Sequence, residues 1–132
     1  MIFGIGTDIV SYARIQALHE RYGERFARRI LSPQELLEYS NHAQPSRLLL
    51  KRFAAKEAFS KALGTGLRSP IRFQQIAISH DNLGKPLFFF EAKVTAYLRE
   101  LGIVHHHLSI SDEREMAIAF VVLEFAGPGV NQ

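Results

Sequence analysis

One segment constrains this chain more than any other. From Ser46 to Leu63 the sequence is rich in Leu, Ala, Lys and Glu, and Gly64 follows directly. Those residues are strong helix formers, and glycine is the usual residue just past a helix end. A helix over 46–63 is therefore predicted, and the rest of the chain must pack around it. Ahead of it, Ile2 to Asp8 is apolar, short and spaced by glycines, which reads as a buried strand ending in a carboxylate. From Ser11 the pattern turns helical, with Tyr12, Ile15 and Tyr22 in register. Arg14, Leu18, Arg21, Arg25 and Arg28 share one face if that helix continues past Gly23, where a break or bend is expected. Ser32 is an N-cap with Pro33 at the first helical position and Glu35 in the first turn of a short helix reaching about Tyr39.

The second half reads differently. Phe73–Ser79 and Pro86–Phe90 are predicted strands about a turn at Asp81–Gly84, and Lys93–Leu101 is a predicted helix ending at Gly102. His105–Ser111 and Met116–Phe125 are predicted strands about the charged turn Asp112–Glu115. A strand, then helices, then mainly strands is an α+β order, with a small antiparallel sheet packed with helices. At 132 residues the chain suits one domain, taken as 1–125 with a flexible Gly/Pro tail at 126–132. So small a domain also raises the expectation that a substantial ligand site needs a second subunit. Without cysteine, disulfides, thiolate zinc sites and cysteine nucleophiles are excluded. There is no run of eighteen apolar residues and the start lacks a basic n-region, so a soluble cytoplasmic protein is expected. Residues 1–68 carry 11 Lys and Arg against 6 Asp and Glu, while residues 69–132 carry 5 against 7. The basic first half implies an anionic partner there.

Four features carry potential chemistry. Asp8 ends the glycine-spaced segment, where it could hold a metal or cap the next helix. Ala54, Glu57, Ala58 and Lys61 share a helix face, offering either room for a ligand or an ordinary i, i+4 ion pair. Gly64-Thr65-Gly66 follows a helix instead of preceding one, so it is no P-loop; any phosphate there needs the loop's own amides and Lys61. His105, His107, Ser109 and Ser111 share a strand face, open to a metal, to a phosphate, or to solvent alone.

Taken together, these segments resemble the holo-acyl carrier protein synthases of the 4′-phosphopantetheinyl transferase family. The resemblance rests on Gly6-Thr7-Asp8-Ile9-Val10 with Arg14-Ile15, on Phe53-Ala54-Ala55-Lys56-Glu57-Ala58 with Lys61-Ala62 and Gly64-Thr65-Gly66, on Gly84-Lys85-Pro86, and on His107-Leu108-Ser109-Ile110-Ser111. It runs over about residues 1–125, and departs at Ser11, where the family is often acidic. It implies transfer of the phosphopantetheine arm of coenzyme A, as co-substrate, to a serine of apo-acyl carrier protein in support of fatty acid biosynthesis. It also implies that Asp8 and Glu57 hold Mg²⁺ and that Lys61 contacts the coenzyme A phosphates, with Gly64, Thr65, Gly66 and His107 near the nucleotide. Arg47, Lys51 and Arg52 would serve the adenosine 3′-phosphate. The serine proton would go to Glu57, directly or through a water relay, or else to Asp8, and Lys61 would meet the leaving phosphate. Arg14, Arg21, Arg25 and Arg28 around Leu18 would dock the acidic carrier. Short bacterial members are homotrimers with sites between subunits. A nucleic-acid-binding module is disfavoured by the lack of a recognisable motif and by Glu57 amid the basic residues, and an inactive scaffold by Asp8, Glu57 and Lys61 together.

Overall fold

The computed structural model describes residues 1–64, 66 and 71–126. Its elements are β1 (Ile2–Ser11), α1 (Tyr12–Tyr22), α2 (Glu24–Ile30), α3 (Pro33–Ser40), α4 (Pro45–Leu63), a 3₁₀ turn (Phe73–Gln75), β2 (Ile76–His80), β3 (Pro86–Phe90), α5 (Ala92–Glu100), β4 (Ile103–Asp112) and β5 (Met116–Phe125). Helix α4 is the axis of the molecule. Pro45 starts it, and Gly64 ends it in the left-handed conformation, φ 81°. Leu48, Leu49, Leu50, Ala54, Ala55, Ala58 and Phe59 are all buried along it. On one side lies an antiparallel sheet of order β1-β5-β4; β2 and β3 form a separate hairpin. Phe88 and Phe90 of that hairpin pack their rings 5.2 and 5.1 Å from the ring of Phe59.

The contact between β1 and α4 is made by backbone. A Cβ at Gly4 would stand 2.0 Å from the carbonyl oxygen of Ala62, and one at Gly6 1.9 Å from that of Ala58. Only glycine permits this approach. The room beside Ala58 is therefore filled by a strand, where the sequence left a ligand open.

Several expectations need correction. The first strand extends to Ser11, and it is not buried: Ile2, Ile5 and Ile9 are exposed while Gly6 and Val10 are buried. Strand side chains alternate, and only one face of β1 meets α4. The break expected at Gly23 is present, so Arg14, Leu18 and Arg21 lie on one helix and Arg25 and Arg28 on the next. Gly23, at φ 57° and ψ −135°, separates α1 from α2 and redirects the chain. The strand expected from Phe73 begins at Ile76, after the 3₁₀ turn. Ser32 does cap α3, completing a capping box with Glu35. Residues 127–132 of the expected tail lie outside the described residues.

Candidate functional site

The alternation of β1 brings its first chemical group to α4. Gly4, Gly6 and Asp8 share the inner face, so the position after the two glycines carries a carboxylate against the helix. Lys61 Nζ donates to Asp8 Oδ1 at 2.9 Å. The lysine side chain is 54% exposed and the aspartate 14%. That bond to Asp8 holds the Lys61 ammonium above its ordinary pKa, and the Glu57 charge adds to the effect. Glu57, one turn back on α4, is half-buried. Burial pushes its carboxyl above the ordinary range, and the neighbouring Asp8 charge pushes it further; Lys61 and Arg14 pull it back. Two carboxylates that repel each other across a strand–helix contact, with an exposed ammonium between them, offer hard oxygen donors to a divalent cation. Among the described residues no group of three or more His, Asp or Glu could cage a metal. A cation held here would need oxygens from a ligand or water as well.

Beside this cluster lies a groove of about 500 Å³, lined by Leu18, Tyr22, Arg25, Phe26, Arg29, Ile30, Phe53 and Phe73. Its floor is aromatic, with the Phe53 and Phe73 rings 5.8 Å apart. The Arg14 guanidinium lies 5.6 Å from the centre of the Phe53 ring, and its charge also reaches Glu57. Arg14 therefore stands between groove and carboxylates. Of the expected docking residues, Leu18 and Arg25 line the groove. Arg21 lies over the Tyr22 ring, and Arg28 pairs with Glu24. Sequence reasoning missed Phe26, Arg29, Phe53 and Phe73 as groove residues. Arg29 could have been found from Arg25, one turn earlier on α2; Phe26, beyond the break at Gly23 from Leu18 and Tyr22, and Phe73, from a distant turn, could not.

Under the groove is a buried ionic network that was not anticipated. Lys56, fully buried, donates from Nζ to Ile30 O at 2.7 Å, Glu35 Oε1 at 2.6 Å and Phe73 O at 3.1 Å. Glu35 also accepts from the backbone of Ser32 and Ile78. Burial lowers the Lys56 ammonium to about 8 against the opposing pull of Glu35.

The remaining expected residues are placed elsewhere. Arg52 is buried, with Nε 3.3 Å from Glu35 and Nη2 3.1 Å from Glu38. Arg47 donates to the carbonyls of Glu113 and Arg114 and lies over the Tyr12 ring, clamping the β4–β5 turn. Neither guanidinium is presented to the carboxylate cluster. The Gly64 amide closes the helix on Ser60 O and Lys61 O. Gly66 also has positive φ, 74°, and Thr65 lies outside the described residues. His107 pairs with Val122 across the sheet, and Val122 with Ile5, so it lies on the face opposite Asp8. There its Nε2 is 2.6 Å from Glu124.

This architecture matches known proteins throughout. The family model for the 4′-phosphopantetheinyl transferase superfamily matches residues 4–121, and the chain belongs to that superfamily. Within it, the chain is 59% identical over 124 residues to a holo-[acyl-carrier-protein] synthase of Nitrosomonas eutropha, covering 94% of this chain and 99% of that protein. The crystal structure of the Neisseria meningitidis holo-[acyl-carrier-protein] synthase superposes with a TM-score of 0.91 at 53% identity, covering 94% of this chain and 99% of that one. The Helicobacter pylori holo-[acyl-carrier-protein] synthase in complex with coenzyme A superposes with a TM-score of 0.78 at 36% identity, covering 91% and 99%.

Proposed function

We propose that this chain transfers the 4′-phosphopantetheine arm of coenzyme A to a serine of an apo-acyl carrier protein, in support of fatty acid biosynthesis. One observation carries the reading. A chain of this superfamily sets Asp8 and Glu57 against each other with Lys61 bonded between strand and helix. Asp8 and Glu57 would hold Mg²⁺, a cation that takes one or two carboxylates and completes its shell with phosphate oxygens and water. When bound, that cation supplies charge neutralisation for the diphosphate of coenzyme A.

The chain's own residues do the rest. The serine oxygen attacks the phosphorus that bears the pantetheine arm, and the bond from that phosphorus to the bridging oxygen breaks. Adenosine 3′,5′-bisphosphate leaves. Lys61 Nζ, exposed and charged, releases its hydrogen bond to Asp8 and donates to the leaving phosphate. Glu57 takes the serine proton through a water relay, because a carboxylate that holds the cation is a poor base; Asp8 is the second candidate. The groove receives the acidic carrier, Leu18 and Arg25 making the contact, and Arg14 guides the serine from the groove toward Glu57.

The outer face of the sheet supports a homotrimer with sites between subunits. Ile5, Ile9, Ile118 and Phe120 on that face are 53, 61, 43 and 43% exposed, an apolar strip suited to an interface. His107 lies on the same face, so it would reach a nucleotide held by the carboxylates of a neighbouring copy. Residues 1–125 form the catalytic domain, and the protein works in the cytoplasm; no helix among the described residues is long and apolar enough to cross a membrane.

The test is the intact mass of the carrier after incubation with the protein, coenzyme A and Mg²⁺. A gain of about 340 Da that EDTA abolishes is expected. No gain on a carrier that a known transferase modifies would overturn the reading.

A further inference from the structure

The ammonium of Lys56 has three donors, and all three are used beneath the groove. One holds the carbonyl of Ile30, the last residue of α2, and one holds the carbonyl of Phe73, the first residue of the 3₁₀ turn. Ile30 and Phe73 both line the groove. The third donor is fixed by Glu35, which is itself anchored to the N-terminus of α3 and to the backbone of Ile78 on β2. These segments are far apart in sequence; Lys56 ties α2 to the turn from the buried side, while Gln74 Nε2, donating to Arg28 O at 3.3 Å, ties them at the surface.

We propose that Lys56 is a positioning residue for the carrier: by gripping Ile30 and Phe73 from below, it sets the width of the groove in which the carrier docks. This rests on the groove being the carrier's site. The position on α4 matters. Lys56 and Glu57 are consecutive, so they point about 100° apart around the helix, one toward the groove and one toward Asp8. One turn of α4 therefore carries both the anchor of the docking surface and a reacting carboxylate. A carrier seated against α2 and the turn is located relative to Glu57 through a single rigid segment.

The network is charge-balanced, Lys56 and Arg52 against Glu35 and Glu38. Lys56→Met alone leaves a buried carboxylate short of a partner and is apt to unfold the chain. Lys56→Met with Glu35→Gln removes both charges and leaves Arg52 paired with Glu38. For both variants, affinity for apo-carrier is measured by calorimetry without coenzyme A or Mg²⁺, beside affinity for coenzyme A. The expected result in the folded double variant is a loss of about tenfold or more in carrier affinity, with coenzyme A affinity changed less than about twofold. Equal losses for both ligands would overturn the proposal, as would unchanged carrier affinity. So would failure of both variants to fold, which would make Lys56 a determinant of the whole fold. Arg25→Glu separates the two readings. If it weakens carrier binding while the folded double variant does not, the positioning role fails and the groove stands. If neither weakens it, the groove reading fails and takes this one with it.

Discussion

Helix α4 carries two lysines that each bind a carboxylate, and the two pairs behave as opposites. Lys56–Glu35 is closed, with both side chains at 2% exposure or less and the ammonium's donors all committed. Lys61–Asp8 is open, with the lysine more than half exposed and its hydrogen bond to the aspartate 2.9 Å long. The chemistry is the same and the distances are close; solvent decides the difference. A buried pair cannot exchange partners without stranding a charge, whereas a surface pair gains little by staying together and is free to do so. The closed pair suits architecture, and the open one suits an incoming anion and cation.

The sharpest way to break this comparison is at Glu57. Glu57→Gln should lower turnover by about a thousandfold or more while the melting temperature moves only a few degrees, read by carrier mass and thermal melts on the same preparation. Next comes Glu35→Ala, which strands the Lys56 ammonium. It should cost about 3–5 kcal/mol in urea unfolding, and a loss below about 1 kcal/mol would show that the pair is not truly closed. Gly6→Ala forces β1 off the carbonyl of Ala58. A loss of about 1–3 kcal/mol is expected, together with a higher Mg²⁺ requirement as Asp8 withdraws from Glu57. Lys61→Ala should change stability by about 1 kcal/mol or less, even as it impairs turnover. The smallest effect is expected at Arg28, paired with Glu24 outside the groove: Arg28→Ala should alter the KM for carrier less than about twofold.

Much of this was legible in the sequence, and the parts that were not share a cause. Local signals held. Ser32, Pro33 and Glu35 made their capping box, Gly64 ended α4, and the strands at 86–90 and 116–125 stand where the turns at 81–84 and 112–115 put them. The members of the open site were visible, Glu57 and Lys61 one turn apart and Asp8 at the end of a recognisable segment, but the pairing was not: Lys61 bonds Asp8, where the sequence offered Glu57 as its partner, and Ser11 takes the helix cap that was offered to Asp8. The closed pair was not visible. Lys56 sits in a helix where lysine is ordinary, and its partners lie 21, 26 and 17 residues away. No local pattern announces that a lysine will be buried. The partners of Arg52 and Arg47 were hidden for the same reason: those in α3 and in the β4–β5 turn come near only once the chain has folded. The arginine face is divided at Gly23, where a break was legible in the sequence; the new direction that Gly23 gives α2 was not.

The backbone contact of Gly4 and Gly6 with α4 has a consequence for how such a protein can vary over time. Side-chain packing distances drift as core residues are exchanged, because each new side chain sets its own spacing. Here the gap between Asp8 and the helix that carries Glu57 and Lys61 is set by a strand resting on carbonyl oxygens, with no side chain between. The leucines and phenylalanines of the core can be exchanged for others without resetting that gap. The two glycines work as a gauge block: the rest of the interior is free to change around a separation that only their own replacement would alter.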